Sequence, residues 1–194
     1  MEEVRLMKGN EALAHAAIRY GTDGYFGYPI TPQSEVMETL MEERPWETTG
    51  MVVLQAESEV ASINMVYGGA ATGKRVMTSS SSPGMSLMQE GVSYIAGSDL
   101  PCLIVNVMRG GPSTGLPTRV AQGDILQAKN PTHGDVNMIV LAPSSLEECY
   151  TQTVRAFNLA ARFMTPVMLL LDETIGHMQA RVRLPEISEL EIYK

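Results

Sequence analysis

Short apolar runs recur along the chain, and each is typical of a β-strand. They occupy residues 25–28, 51–54, 75–78, 100–107, 138–141 and 167–172. Most are separated by longer segments in which apolar residues recur every three or four positions, as they do on the buried face of a helix. Strands that alternate with helices predict a doubly wound α/β fold with a mostly parallel sheet.

Several of the predicted helices have recognisable ends. Asn10 is expected to cap the first helix, which Gly21 ends, and Ser34 is expected to cap the second. Ser58 is a suitable N-cap for a helix over 60–71 that is rich in Ala, Gly and Ser. The run at 51–54 leads into this helix, and its β-branched, apolar composition predicts a buried strand.

Four loops with polar or flexible residues directly follow predicted strands, at 29–32, 55–59, 79–84 and 109–115. The carboxyl ends of parallel strands meet at one edge of a sheet, where α/β proteins bind ligands. We therefore expect these loops to line one rim. Prolines on both sides of Thr31 make a stiff turn that directs its hydroxyl. The segment 110–137 is longer than a simple connection between two elements needs to be, which is typical of functional loops.

Charge and length narrow the class of protein. The chain has 194 residues, enough to bury a sizeable core. Its 14 basic and 22 acidic residues give a net charge of −8, and no basic cluster stands out, so nucleic acid and anionic membranes are poor partners. There is no apolar run of membrane-spanning length and no signal-like N-terminus, which predicts a cytoplasmic protein.

The two cysteines, Cys102 and Cys149, lie far apart in sequence and within apolar or helical patterns. They are expected to be packed thiols, and the chain is not expected to hold a zinc ion or an iron–sulfur cluster of its own. His133 and Asp135 lack an accompanying nucleophile motif, which argues against a hydrolytic triad.

Glu57 and Glu59 stand where a strand ends and a helix begins. Acidic residues at this position can simply complement the helix dipole, for about 0.3–1 kcal/mol each. Residues i and i+2 do not share a helix face, so both carboxylates are not expected to reach one ligand atom.

Four motifs occur in a fixed order along the chain: YPITP at 28–32, QAESE at 55–59, TSSSSPG at 78–84 and RGGP at 109–112. Together they resemble the N-terminal domain of the α subunit of 2-oxoacid:ferredoxin oxidoreductases, most closely the branched-chain (3-methyl-2-oxobutanoate) type. The resemblance extends from about residue 9 to residue 172. It implies the pyrimidine-binding fold of thiamine diphosphate enzymes.

The resemblance also implies roles for individual residues. Glu59 corresponds to the carboxylate that bonds the pyrimidine ring nitrogen and favours the imino tautomer, which acts as the base on the cofactor; Glu57 is then expected to brace the loop. Thr31 and Arg109 are expected to bind the substrate carboxylate. Pro29, Ser82 and Pro83 are expected to contact the cofactor.

Other family features are missing from this chain. Neither 123–125 nor 134–136 supplies the Gly-Asp-Gly motif that holds Mg²⁺ and the diphosphate. The resemblance therefore implies a β subunit that carries Mg²⁺ and diphosphate, further subunits with iron–sulfur clusters, and a hetero-oligomer with α–α contacts. We expect residues 1–178 to form the pyrimidine-binding domain. Residues 179–194 show no core-forming period and are expected to be an exposed tail or linker to an absent domain.

The resemblance implies oxidative decarboxylation of a 2-oxoacid to an acyl-CoA, with electrons passed to ferredoxin. RGGPSTG at 109–115 is shared with 2-oxoglutarate enzymes, so the side chain of the oxoacid stays open. Two other functions also stay open. One is a split-subunit thiamine diphosphate decarboxylase that is not oxidative, and the other is a scaffold subunit in which Glu59 only caps its helix.

Overall fold

The computed structural model describes residues 3–186 and 189–193, with eight strands and eight helices in that part of the chain. The strands are β1 (Glu3–Lys8), β2 (Gly24–Gly27), β3 (Val52–Gln55), β4 (Val76–Ser80), β5 (Cys102–Met108), β6 (Ile139–Leu141), β7 (Pro166–Asp172) and β8 (Gln179–Leu184). The helices are α1 (Gly9–Tyr20), α2 (Ser34–Glu43), α3 (Pro45–Thr48), α4 (Glu59–Ala71), α5 (Ser82–Gly97), α6 (Ile125–Lys129), α7 (Leu146–Phe163) and α8 (Glu173–His177).

Six strands form one sheet in the order β3-β2-β4-β5-β7-β6, and every neighbouring pair is parallel. The predicted doubly wound α/β fold is therefore confirmed. The apolar runs that predicted strands agree with the observed ones to within two residues at each end.

Helices cover both faces of the sheet, and the central strand β5 shows how the two layers separate. Leu103, Val105 and Val107 point into the core shared with α1 and α7. Cys102 and Ile104 alternate with them and point into the core shared with α4 and α5. This alternation along a strand buried on both faces is why the run reads as continuously apolar in sequence.

The small residues of α4 and α5 allow these two helices to pack closely beside the rim. A Cβ atom on Gly91 would lie 2.5 Å from Ile63 Cγ2, so only glycine fits at this crossing. The Ser58 hydroxyl accepts a hydrogen bond of 3.1 Å from the Ala61 amide, which confirms Ser58 as the N-cap of α4.

Three local predictions are wrong. Ser34 does not cap α2, because it is the first residue of that helix and Gln33 stands at its N-cap. Strand β3 is not buried, because it forms the edge of the sheet and leaves Val52 51% and Leu54 40% exposed. Asn10 does not cap α1, because that helix begins at Gly9 and has Lys8 at its N-cap. Asn10 instead lies inside the first turn with its side chain fully buried.

The prediction of an exposed tail from residue 179 is also wrong where the structure describes it. Strand β8 pairs antiparallel with β1, and Val182 and Leu184 are buried in the α1/α7 core. Farther on, the Tyr193 amide donates a 2.8 Å hydrogen bond to Asn158 Oδ1 on α7. This end of the chain packs because alternate residues of β8 are apolar and face the domain. Ile187, Ser188 and Lys194 lie outside the described residues.

Within the described ranges, no helix combines the length and apolar character needed to span a bilayer. The long segment 110–137 is largely irregular but contains the short helix α6. Asn106 Nδ2 of β5 donates a 2.7 Å hydrogen bond to Asp124 Oδ2, which ties this segment to the sheet just before α6 begins.

Candidate functional site

The four loops selected from the sequence do meet at one rim. Strands β3, β2, β4 and β5 are consecutive neighbours in the sheet and run in the same direction, so the loops that follow them emerge side by side. This rim is the carboxyl edge of the sheet, where open α/β folds place their ligands.

Arg109, directly after β5, reaches across the rim to the loop that follows β2. Its Nη1 donates a 2.6 Å hydrogen bond to the Thr31 carbonyl oxygen, and its Nε donates a 3.0 Å bond to the Thr114 carbonyl oxygen. Burial lowers the pKa of Arg109 and the nearby Glu59 charge opposes that change, so the guanidinium stays charged at neutral pH. Backbone carbonyls thus hold this cation in one orientation.

Ser82 fixes the main chain of Arg109. Its Oγ accepts a 2.9 Å hydrogen bond from the Arg109 amide and lies 3.2 Å from the Arg109 carbonyl oxygen, to which it donates. The hydroxyl predicted to contact a cofactor is therefore engaged with the neighbouring loop. Contact between a cofactor and Ser82 or Pro83 stays a prediction, with both residues half-buried at the start of α5.

Glu59 is the first residue of α4 and is only 7% exposed. Among the residues that the structure describes, none forms a hydrogen bond or ion pair with its carboxylate. Gly84 of α5 packs directly against it, since a Cβ on Gly84 would lie 2.9 Å from Glu59 Oε1 and 2.1 Å from Ser80 Oγ. The Arg109 charge acts on this carboxylate, but no described residue donates a hydrogen bond to offset its burial, so it can accept one from a ligand at the rim.

The other predicted residues of the rim are more accessible. Glu57 is exposed and Glu59 is buried, so the two carboxylates have different surroundings, as their spacing predicts. Pro29 and Thr31 are also exposed in the loop that follows β2. Thr31 contributes its carbonyl oxygen to Arg109, while its hydroxyl bonds to no residue in the described part of the chain.

Buried hydroxyls lie along β4 and at the residue that directly follows it. The Oγ atoms of Ser80 and Ser81 have no hydrogen-bond partner among the described residues, and both residues are fully buried. The same is true of Thr78 Oγ1 on β4. Such groups carry a desolvation cost of about 1–3 kcal/mol each unless a bound molecule or water satisfies them.

Sequence reasoning missed the residues that hold the Thr31 loop in place. The Gln33 side chain donates a 3.0 Å hydrogen bond to the Tyr28 carbonyl oxygen and accepts one from Ser79 Oγ, which also bonds to the Tyr25 hydroxyl at 2.8 Å. Asn10 donates a 2.8 Å bond to the Pro32 carbonyl oxygen. Their only sequence signal is polarity at positions where the surrounding pattern expects burial.

Cys102 and Cys149 are buried free thiols, which confirms that they are packed in the core. Burial raises the pKa of each to about 12, so neither is a reactive thiolate near neutral pH. In residues 3–186 and 189–193, no three His, Cys, Asp or Glu side chains come together in a way that could hold a metal ion.

Comparison with known protein families gives a match over residues 15–194. The matching family is described as pyruvate flavodoxin/ferredoxin oxidoreductase, thiamine diP-binding. The match includes all four motifs of the rim and almost the entire described fold.

Similar proteins carry the names of enzyme subunits. The chain is 48% identical over 192 residues to 2-oxoglutarate synthase subunit KorA of Archaeoglobus fulgidus, covering 99% of this chain and 55% of that protein. It is also 48% identical over 183 residues to ketoisovalerate oxidoreductase subunit VorB of Methanothermobacter thermautotrophicus, covering 94% of this chain and 51% of that one. The chain thus spans about half the length of these curated relatives.

A solved structure of 2-oxoglutarate:ferredoxin oxidoreductase from Magnetococcus marinus, with 2-oxoglutarate, coenzyme A and succinyl-CoA bound, has the same fold. The TM-score is 0.93 at 38% sequence identity, and the alignment covers 98% of this chain and 33% of the other. The predicted resemblance is confirmed by these matches. Because 2-oxoglutarate and ketoisovalerate relatives match at equal identity, overall similarity does not separate the two substrates.

Proposed function

The chain belongs to the pyruvate flavodoxin/ferredoxin oxidoreductase family through its thiamine diphosphate-binding domain, and we propose that it serves as the α-type subunit of a 2-oxoacid:ferredoxin oxidoreductase. The proposed reaction is oxidative decarboxylation of a 2-oxoacid to an acyl-CoA, with electrons passed to ferredoxin. One observation carries the proposal: Glu59, a buried carboxylate without a described partner, shares a rim with the oriented cation of Arg109.

The residues at the rim fit the aminopyrimidine half of thiamine diphosphate. Such a ring needs a carboxylate next to one nitrogen, and Glu59 offers a carboxylate at the rim to which no described residue donates a hydrogen bond. Gly84 lets α5 pack directly against the Glu59 carboxylate, and a larger residue there would clash with Glu59 and Ser80. Glu59, Pro29 and Pro83 would hold the pyrimidine.

In this proposal Glu59 acts as a proton carrier. When bound, thiamine diphosphate supplies the nucleophilic carbon that adds to the keto group of the oxoacid. Glu59 holds or releases a proton at its carboxylate oxygen, next to a pyrimidine nitrogen, and thereby selects the tautomer of the ring. Its largely buried position strengthens the hydrogen bond through which this selection acts, compared with the same bond in water.

Arg109 and Thr31 provide the proposed contacts to the substrate carboxylate. Arg109 uses its Nε–H and one Nη1–H to donate to backbone carbonyls. Its remaining N–H groups, on Nη1 and Nη2, are left for a carboxylate. An end-on, charge-assisted contact of this kind recognises every 2-oxoacid regardless of its side chain. The Thr31 hydroxyl is a further donor on the same loop.

The proposal includes partner subunits that complete the site. Apolar side chains lie exposed on the helices that begin at the rim: Val60 and Met65 on α4, and Leu87 on α5, at 46%, 37% and 55% exposure. Exposed apolar residues beside a site are typical of an interface. We assign this surface to a β subunit with the Mg²⁺ and diphosphate site, and we expect iron–sulfur subunits and ferredoxin to complete the electron path.

Activity of the assembled complex tests the proposal. The purified complex is supplied with ferredoxin, coenzyme A and a panel of 2-oxoacids that includes 2-oxoglutarate and 3-methyl-2-oxobutanoate. We expect ferredoxin reduction that requires both the oxoacid and coenzyme A. Release of CO₂ without ferredoxin reduction would instead identify a non-oxidative decarboxylase, and inactivity with every oxoacid in a complex that binds the cofactor would favour a scaffold subunit.

A further inference from the structure

Two neighbouring carbonyl groups of the turn after β2 are held from two different elements. Arg109 Nη1, at the end of β5, donates to the Thr31 carbonyl oxygen at 2.6 Å. Asn10 Nδ2, in the first turn of α1, donates to the Pro32 carbonyl oxygen at 2.8 Å. The position of the turn relative to Arg109 therefore depends on α1, which contributes no residue to the rim itself.

The orientation of the Asn10 amide follows from its neighbours. Its Nδ2 also lies 3.1 Å from Glu35 Oε2, and both neighbours are acceptors, so only the NH₂ group can face them. Asn10 is fully buried. Of the small side chains that fit there, the amide is the one that can donate to both acceptors at once.

Lys8 and His177 also contact the Glu35 carboxylate. Lys8 Nζ lies 2.8 Å from its Oε1, and His177 Nε2 lies 3.3 Å from its Oε2. Burial raises the pKa of Glu35, but hydrogen bonds from Lys8, the backbone and Asn10, together with the His177 charge, outweigh burial and hold the pKa below its ordinary value. The acceptor that orients Asn10 is thus an ionised carboxylate at neutral pH.

Helix α8 closes the remaining side of Asn10. A Cβ atom on Gly176 would lie 3.0 Å from Asn10 Oδ1 and 3.2 Å from Val107 Cγ1. Gly176 therefore packs next to Asn10, and a side chain at position 176 would press on the Asn10 amide. The position of Asn10 therefore depends on residue 176 being a glycine.

We propose that Asn10 is a positioning residue for the substrate-carboxylate site. Its hydrogen bond to the Pro32 carbonyl fixes the position of the neighbouring Thr31 carbonyl, to which Arg109 donates. This inference rests on the proposed function, because it takes Arg109 and Thr31 as the carboxylate contacts. Loss of the Asn10 donor frees the turn and lets the guanidinium rotate out of its productive orientation. Small displacements of this kind reduce rates strongly when a reaction depends on orientation.

A double-mutant cycle in the assembled complex tests the inference. Asn10→Ala is expected to lower kcat/KM about tenfold for every oxoacid while the KM for coenzyme A stays unchanged. In an Arg109→Gln background, the same Asn10→Ala change is expected to cost less than about twofold, because the group it positions is gone. Losses that multiply in the double variant would show that Asn10 acts independently of Arg109 and would overturn the inference.

Two further variants separate positioning from general stability. Asn158→Ala removes an equally well-bonded asparagine on α7, whose side chain contacts Tyr20 and Tyr193, away from the rim. It is expected to lower the melting temperature without changing kcat/KM. Gly176→Ala displaces the Asn10 side chain without removing it and is expected to lower kcat/KM in the same direction, so it replaces Asn10→Ala in the cycle if that variant does not fold.

Hydrogen–deuterium exchange provides a readout that does not depend on activity. We expect faster exchange in the segment 28–36 of Asn10→Ala and unchanged exchange there in Asn158→Ala. Equal exchange in that segment for the wild type and Asn10→Ala would contradict the inference. If Arg109→Gln alone leaves kcat/KM unchanged, the proposed carboxylate site is wrong as well. If Arg109→Gln lowers kcat/KM but its effect multiplies with that of Asn10→Ala, only the inference about Asn10 is wrong.

Discussion

The guanidinium of Arg109 donates to the backbone carbonyl oxygen of Thr31, so the two residues proposed to bind the substrate carboxylate are directly bonded to each other. They lie 78 positions apart in sequence and come from loops after β2 and β5, which strand β4 separates in the sheet. A shared bond of this kind couples the two contacts, and substitutions at one residue are expected to be felt at the other.

Arg109→Lys should therefore be harmful despite conserving charge. A lysine ammonium cannot reproduce the fork that bonds to the Thr31 and Thr114 carbonyls and still face a carboxylate. Charge-assisted hydrogen bonds are worth about 1.5–3 kcal/mol, so we expect kcat/KM to fall about tenfold to a hundredfold. Steady-state kinetics of the complex measures this.

Thr31→Val is the matched milder change, because it removes one neutral donor and keeps the carbonyl that Arg109 binds. Its loss should be smaller and similar for all oxoacids. A loss confined to one oxoacid in either variant would place that residue in the side-chain pocket instead.

Most of the fold could be predicted from the sequence because the sheet is buried on both faces and its strands read as apolar runs. The predictions were wrong where the exposure of a strand does not follow from its pattern of apolar residues. Strand β3 is as apolar as a central strand but lies at the edge, and edge position depends on strand order, which a short run does not encode. Strand β8 did carry a signal, since Val182 and Leu184 alternate with Arg181 and Arg183.

The rim could be predicted in outline but not in its connections. Parallel topology brings loops together regardless of their composition, so the four loops were identifiable in advance. The bonds that orient them end on backbone carbonyls, such as those of Thr31, Pro32 and Tyr28. Every residue has a carbonyl, so no pattern of residue types reveals which one a buried Asn10 or Gln33 will bond.

Gly84→Ala is expected to disturb the rim from α5. The added Cβ would come within 2.1 Å of Ser80 Oγ and 2.9 Å of Glu59, so the fold must shift at a cost of about 1–3 kcal/mol. Gly97→Ala, on the same helix with nothing within 4 Å of the added Cβ, is the control and should be neutral or stabilising by up to about 1 kcal/mol. Urea unfolding of both variants checks this, and equal stability would contradict the close packing of Gly84.

Val182→Asp tests whether β8 is an integral part of the domain. The substitution places an unpaired charge at a fully buried position and should lower the free energy of unfolding by roughly 3–5 kcal/mol. Arg181→Ala changes the exposed neighbour and should shift it by no more than about 0.5 kcal/mol. Denaturant titrations provide the comparison. Similar stability for both variants would restore the view of this segment as a tail.

The isolated chain should bind thiamine diphosphate poorly even with Mg²⁺ present. The proposed site offers groups for the pyrimidine, while the diphosphate contacts are assigned to the partner subunit. Titration calorimetry of the chain alone, compared with the assembled complex, measures the difference. Micromolar binding by the chain alone would contradict the proposal of a site split between subunits.

Glu59→Gln should separate cofactor activation from cofactor binding. Glutamine has nearly the same shape, so the fold and the position beside Gly84 should be kept, but a neutral amide cannot take up and release the proton. We expect hydrogen–deuterium exchange at the cofactor C2 position to slow by orders of magnitude in the assembled complex, with cofactor affinity little changed. Glu57→Gln is the control, because this exposed carboxylate two residues earlier should leave the exchange rate nearly unaltered. Equal exchange rates in the two variants would show that burial at the start of α4 does not mark the activating carboxylate. Slow exchange in Glu57→Gln alone would assign the role to the exposed residue instead.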